Sequence, residues 1–211
     1  MTGSLFISFE GIDGSGKSTQ ASLLASALRD RGFPIVHVRE PGGTPVGERI
    51  REILFDAEPP RPLTMALLYA GARSELVERV IRPALAAGKV VVADRYSDST
   101  LAYQGFGQGL DLDNMRALVR VATGGLRPDI IIYLDVAGER TRGRLEERTD
   151  RNHLDDESSE FQDRVRTGYE LLIEAERSRW RRIAGEGEPH EVHCAVMRAV
   201  EPVLRKAYGD R

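Results

Sequence analysis

The chain has one cysteine, Cys194, among its 211 residues, so no intramolecular disulfide can form and a cysteine-stapled scaffold is excluded. No apolar run reaches the length that crosses a bilayer, and the sequence shows no basic-then-apolar leader. The expectation is a protein of the reducing cytoplasm. Cys194 lies in an apolar-periodic segment over 192–204, where a buried structural thiol is expected rather than a nucleophile. An excess of one charge is also missing. Thirty basic residues against 33 acidic ones leave a net charge of −3, too little for a field that would hold nucleic acid or an anionic membrane. Any anion must be bound locally. No Pro/Gly/Ser-rich linker divides the chain and no repeat is present, so a single domain over 1–211 is expected, long enough to bury one good core.

What is there is an alternation of short β-branched or aromatic runs with longer stretches of helical period. That pattern predicts an α/β fold, a parallel sheet covered by helices on both faces. Strands are expected at 5–9 ("LFISF"), 35–39 ("IVHVR"), 90–94 ("VVVAD"), 130–134 ("IIIYL") and 180–184 ("WRRIA"). The valine and isoleucine triplets read as central strands buried on both faces. After the first strand, Ala21, Leu24, Ala25 and Leu28 share one helical face, and Gly32 is the stop. A longer helical region covers 63–85, which Pro83 should kink or shorten because proline lacks the ladder donor. Asp113 or a near neighbour should cap a helix over 115–122. Phe161, Val165, Tyr169, Leu172 and Ile173 give 158–178 the period of an amphipathic helix.

The stretch "FEGIDGSGKSTQ", residues 9–20, contains Gly, four residues, then Gly-Lys-Ser. It lies directly after a strand and before a helix, where backbone N–H groups and the positive helix end can face an anion. Gly11, Gly14 and Gly16 let the backbone curl close to phosphates. Lys17 supplies charge to the β and γ phosphates, and the Ser18 hydroxyl is a candidate Mg²⁺ ligand. The predicted ATP contacts are Gly11, Ile12, Asp13, Gly14, Ser15, Gly16, Lys17, Ser18 and Thr19.

Asp94 and Arg95 stand at the carboxyl end of the third strand, where ligands collect in an open parallel sheet. Asp94 is a candidate Mg²⁺ partner, or else a helix cap; Arg95 beside it suits a second anion. A basic cluster at 140–151, "RTRGRLEERTDR", and the polar string after it predict a short lid over about 140–157. Its arginines read either as a solvated helix face or as charge delivered to a phosphoryl group while water is excluded.

Together "FEGIDGSGKSTQ", "REPGGT" (39–44), "ALLYAGAR" (66–73), "DRYSDSTLAYQG" (94–105), "RPDIIIYLDV" (127–136) and the arginine-bearing lid resemble the thymidylate kinase family over nearly the whole chain. The resemblance implies the P-loop nucleoside monophosphate kinase fold, a five-stranded parallel sheet flanked by helices. It also implies transfer of a phosphoryl group from ATP, with Mg²⁺, to dTMP in dTTP synthesis. It places Tyr69 on the thymine ring and Arg73, one helical turn on, at a base carbonyl. Arg95 and Arg39 meet the acceptor phosphate, Pro41 shapes a turn near the base, and Ser99, Thr100 and Gln104 lie near it. Tyr103 would lie beneath the sugar and crowd a 2′-hydroxyl, while Asp13 approaches the 3′-hydroxyl and the metal region.

Some family members carry an arginine inside the phosphate loop, but here Ile12, Asp13, Gly14 and Ser15 fill those positions. Arg148 and Arg151 of the lid are therefore the implied compensating charge, joining Lys17, Arg95 and Asp13 as catalytic candidates. Tyr69 stands where phenylalanine is common, Ala72 where an acidic residue often stands, and "RWRRIAG" is more basic than the usual pattern. The resemblance further implies a homodimer built from helices, including 63–85 and the one after "DRY". The rival readings are a kinase of another nucleoside monophosphate or of a deoxynucleoside, and a nucleotide switch. Arg39, Arg73 and Arg95, as a dedicated second anion site, argue against the switch.

Overall fold

Val90, Val91 and Val92 are fully buried, as are Ile131 and Ile132, which is what a β-branched run with no polar alternation requires. The computed structural model describes residues 3–56, 58–137, 141, 143 and 158–209. Five strands form one sheet: β1 (Leu5–Glu10), β2 (Ile35–Arg39), β3 (Val90–Asp94), β4 (Ile130–Asp135) and β5 (Trp180–Ala184). Their order is β2-β3-β1-β4-β5, and every pairing is parallel. Phe9 and Arg39 both pair with Asp94, so the carboxyl ends of β1, β2 and β3 finish at one level. The connection leaving β1 runs to one side of the sheet and that leaving β3 to the other, so a crevice opens at this edge.

Alternate strand residues feed opposite cores. Leu5, Ile7 and Phe9 join Val90, Val92, Ile130 and Ile132 beneath α1 (Lys17–Asp30) and the carboxyl-terminal α8 (Pro189–Tyr208). Phe6, Val91 and Ala93 face the other way, under Leu76, Val77 and Ile81, while Ile131 and Tyr133 pack on Val165, Tyr169 and Trp180.

Several helices differ from expectation in instructive ways. The 63–85 region starts as α3 (Pro62–Leu76), widens into a π turn at Val77–Ile81 and resumes as α4 (Arg82–Ala86). Within that turn the Arg82 N–H reaches back five residues to the Val77 carbonyl. The widened turn makes room for the Pro83 ring and absorbs its missing donor, so the helical path continues instead of breaking. A helix not expected from the sequence, α2 (Pro45–Leu54), begins where the Thr44 hydroxyl accepts from Gly47 N at 2.9 Å, with Pro45 in its first turn. After β3 comes α5 (Ser97–Thr100), which runs into a second π segment, Leu101–Gly107. Asp111, two residues before Asp113, caps α6 (Leu112–Thr123) by accepting from Asn114 N at 2.8 Å. Ser158 caps α7 (Ser159–Ala175). Cys194 on α8 is half-buried rather than buried, because it falls beside the core stripe of Val192, Val196 and Val200. No described helix is long and apolar enough to cross a membrane.

Candidate active site

A cavity of about 700 Å³ opens at the carboxyl edge of β1, β2 and β3. Its first wall is the loop between β1 and α1. Gly11, Gly14 and Gly16 have φ of 145°, 76° and 93°, values that L side chains rarely adopt. A Cβ on Gly11 would also come within 2.9 Å of the Leu134 carbonyl oxygen and the Ser15 hydroxyl. Gly16 sits at the head of α1, and no side chain caps that end. Such a helix start is suited to an anion.

Lys17 is buried, and its Nζ donates to the Ile12 carbonyl at 2.7 Å. Burial lowers its pKa to about 8, helped by the neighbouring Arg95 charge and opposed by Asp13, Asp94 and Glu10. An incoming phosphate would reverse that depression by supplying the missing counter-charge. Ser18 and Thr19, exposed in the first turn of α1, line the same cavity. Asp94 lines it from the end of β3.

Facing the loop is a network centred on Arg95. Its guanidinium donates through Nη1 to the Ser99 hydroxyl at 3.0 Å and the Gly11 carbonyl at 3.3 Å, and through Nη2 to Asp13 and to Tyr103 Oη at 3.2 Å. Tyr103 in turn donates to Asp13 Oδ2 at 2.8 Å, and its ring lies under the guanidinium with 4.8 Å to the centroid. Burial acts to raise the Asp13 carboxyl, but the charges of Arg95 and Lys17 and the bonds from Tyr103 and Arg95 bring it down to about 2. Asp13 is thus ionised, and Arg95 stays charged throughout. The Arg95 backbone has φ of 70°, a left-handed conformation that costs a non-glycine residue about 1–3 kcal/mol. Surrounding bonds hold it there: Arg95 N donates to the Phe9 carbonyl at 3.0 Å, and Tyr96 N donates to Glu10 Oε1 at 2.9 Å.

The floor is built by α3 and the segment after β2. Arg73 is 2% exposed and donates to Glu40 Oε2 at 2.7 Å, Thr100 Oγ1 at 2.9 Å and the Tyr96 carbonyl at 3.1 Å. Tyr69, one turn earlier, borders the cavity, and burial pushes its hydroxyl up to about 12, so it stays protonated. Gln104 is buried and lines the same cavity. Pro41 follows a cis peptide and forms part of the rim. Arg39 also stands at the rim, half exposed, donating to Glu48 at 3.0 Å.

The fold therefore gathers Gly14, Lys17, Ser18, Thr19, Asp13, Arg39, Pro41, Tyr69, Arg73, Asp94, Arg95, Ser99, Thr100, Tyr103 and Gln104 around one cavity. Gly11, Ile12 and Ser15 complete the loop behind it. Arg148 and Arg151, with nearly all of the expected lid over 140–157, lie outside the described residues.

The family model described as Thymidylate kinase matches residues 9–196. The chain belongs to the thymidylate kinase family. A thymidylate kinase of a Synechococcus strain is 46% identical over 207 residues, covering 98% of this chain and 99% of the relative. That of Thermomicrobium roseum is 47% identical, with 96% and 97% covered. The crystal structure of the thymidylate kinase from Ehrlichia chaffeensis superposes with a TM-score of 0.80 at 35% identity, covering 94% of this chain and 99% of that one.

Within this thymidylate kinase fold, two groups escaped the sequence reading. Arg51 and Phe55, at the end of the unexpected α2, border the cavity with the guanidinium 4.6 Å over the ring, and Arg51 donates to the Pro41 carbonyl at 3.2 Å. The signal was Thr44-Pro45, a capping residue followed by a first-turn proline. The second is Glu10, wholly buried at the end of β1, whose carboxyl accepts from Tyr96 N, Ser99 Oγ and Tyr169 Oη. Its position inside "FEG" reads only as a strand end.

Proposed function

We propose that this chain transfers the γ-phosphoryl group of ATP to dTMP, giving ADP and dTDP. The observation that carries the reading is one cavity with two cationic poles. Lys17 and the glycine loop form one, and Arg95 with Arg39 forms the other. Membership of the thymidylate kinase family names the acceptor that the second pole would receive. With both phosphates held, transfer depends on alignment and neutralisation of charge, and the acceptor phosphate needs no base to deprotonate it.

In this reading Lys17 and the loop N–H groups grip the donor, and Arg95 and Arg39 orient the acceptor phosphate. Tyr69 stacks on thymine above the Arg73 floor, with Ser99, Thr100 and Gln104 around the base. Asp13 keeps Arg95 aimed and Tyr103 in place. Arg148 and Arg151 are the proposed further source of positive charge. Ser18 and Asp94 offer hard oxygen donors to the same cavity, which fits Mg²⁺ held largely by nucleotide phosphates and water. The ion would supply charge neutralisation at the β and γ phosphates. Among the described residues no cluster of three or more His, Cys, Asp or Glu could hold a metal alone, consistent with that division of ligands.

We also read the chain as a single-domain, cytoplasmic homodimer. Leu63 and Leu67, four residues apart on α3, are 56% and 54% exposed, and Val46 and Ile53 of neighbouring α2 are 45% and 51% exposed, an apolar face suited to a second copy. Turnover with ATP across dTMP, dUMP, dCMP, dGMP and dAMP tests the function. The expected result is a kcat/KM for dTMP at least tenfold above every other acceptor; faster transfer to a purine or cytosine nucleotide would overturn it.

The sugar contact gives a separate check. Tyr103 is 4% exposed and held by Asp13 and Arg95, so its ring cannot swing aside to admit a 2′-hydroxyl. Wild type should prefer dTMP over ribo-TMP, and Tyr103→Ala should shrink that ratio by about tenfold even as it slows both. An unchanged ratio removes Tyr103 from the sugar site.

A further inference from the structure

We propose that Glu10 is the positioning residue for Arg95, fixing both the backbone and the guanidinium that meets the acceptor phosphate; this rests on the reading of function above. Glu10 ends β1, is 0% exposed and does not border the cavity, so it touches no substrate. Its two oxygens divide the task. Oε1 accepts from Tyr96 N at 2.9 Å, and that N–H belongs to the peptide immediately after Arg95. Oε2 accepts from the Ser99 hydroxyl at 2.6 Å, and the same hydroxyl oxygen accepts from Arg95 Nη1 at 3.0 Å. One side chain thereby grips Arg95 at both ends.

The grip has a strain to oppose. Arg95 holds φ of 70° without being glycine, a conformation that survives only where neighbours over-determine it. Of the bonds that do so, Arg95 N to the Phe9 carbonyl fixes the entry and Tyr96 N to Glu10 fixes the exit. A third donor, Tyr169 Oη at 2.9 Å, pins the carboxyl from α7 and lies 3.2 Å from Ser99 Oγ, with no direct bond to Arg95. All three partners can donate, and burial, with the Asp98 charge, pushes the Glu10 carboxyl up to about 7 while the Ser99 and Tyr169 bonds and the Arg95 charge favour its ionised form. Removal of Glu10 would leave these donors buried and unpaired, and the peptide after Arg95 free to relax toward negative φ.

The test compares Glu10→Ala, Glu10→Gln, Ser99→Ala and Tyr169→Phe for KM of dTMP and of ATP, kcat and thermal midpoint, with crystal structures of wild type and Glu10→Ala. Glu10→Ala should lower kcat/KM for dTMP about a hundredfold while KM for ATP moves less than threefold, and its Arg95 should leave φ near 70°. Glu10→Gln should recover to within about tenfold of wild type, because the amide oxygen still accepts from Tyr96 N and the hydroxyls can turn to accept from the amide. Ser99→Ala, which removes the guanidinium link together with the hydroxyl's contacts to Glu10 and Tyr169 but leaves Tyr96 N on Glu10, should give a smaller loss of the same kind. Tyr169→Phe, which leaves the Tyr96–Glu10 and Ser99–Arg95 bonds in place, should lower the midpoint and move the split between dTMP and ATP less than Ser99→Ala does. Equal changes in both KM values, or an Arg95 unmoved in the Glu10→Ala crystal, would overturn the proposal. If Glu10→Ala fails to fold, Ser99→Ala and Glu10→Gln decide: no dTMP-specific loss in Ser99→Ala overturns it. Wild type lacking dTMP turnover would instead overturn the function, and the position of Arg95 in the crystals would still decide the role of Glu10.

Discussion

Lys17→Ala should lower kcat by about a thousandfold, roughly 4 kcal/mol of lost transition-state stabilisation, while the protein unfolds at the same or a higher temperature. The two halves share one cause. Lys17 is buried, and burial brings its pKa from 10.5 to about 8. For a base with a depressed folded pKa, the folded state pays to keep the proton at every pH below about 8, and this penalty fades only as pH rises toward 10.5. At neutral pH the alanine variant escapes that penalty, of the order of 3 kcal/mol, against the loss of one bond to the Ile12 carbonyl and some aliphatic packing. That desolvation penalty on Lys17 is what an incoming phosphate relieves. At pH 8 ATP binding to wild type should therefore take up about half a proton, read by calorimetry in buffers of different ionisation enthalpy, and the alanine variant should lose that uptake. A folded Lys17→Ala enzyme with near-normal turnover would remove the loop from catalysis.

What the sequence disclosed, and what it withheld, divides along the range of the interactions. The central strands β3 and β4 were legible because β-branched runs report their own burial, and the other three because short apolar or aromatic runs alternate with helical periods. Two of the five extend one residue further, to Glu10 and Asp135, since a polar end residue gives no strand signal although Glu10 pairs with Tyr133 and Asp135 with Ala184. Helix α2 was hidden because Pro45 and Gly47 read as loop, and tertiary packing of Leu54 against Met65 overrode that local preference. The π turn before Pro83 is likewise a choice made by the backbone that side-chain periodicity does not encode. The glycine loop was readable as a contiguous motif, and resemblance picked out distant residues that the fold brings to the same cavity. The pairings that hold the site together were not readable. Arg73 meets Glu40 across 33 residues, and Glu10 meets Tyr96, Ser99 and Tyr169 across 86, 89 and 159. Residues expected to face the base turn out to have a structural commitment as well: Ser99 is shared by Glu10 and Arg95, and Thr100 accepts from Arg73. In this site the groups proposed to bind substrate are also one another's supports.

That double duty sets the largest expected effect. Arg95→Ala should reduce kcat/KM for dTMP by about a thousand- to ten-thousandfold, about 4–5.5 kcal/mol, with KM for ATP moved by roughly threefold or less. The loss exceeds that of a single phosphate contact because Asp13 loses its partner at the same time. In wild type the Asp13 carboxyl falls from 3.8 to about 2, a depressed acid whose stabilisation is complete above pH 3.8 and is lost as pH falls through about 2. Without Arg95, burial, the largest influence on this carboxyl, is opposed only by Lys17 and the Tyr103 hydroxyl, and the pKa must rise. The stability gap between wild type and variant should therefore be widest near pH 6 and close by about 2 kcal/mol or more as pH falls from 5 to 2, measured by chemical denaturation. Arg95→Lys should not rescue activity beyond tenfold, because one ammonium cannot serve the Gly11 carbonyl, Ser99, Asp13 and Tyr103 in the fork that the guanidinium spans. A lysine variant with wild-type kcat/KM would reduce Arg95 to a point charge, and a stability gap that does not change with pH would break the link between Arg95 and Asp13.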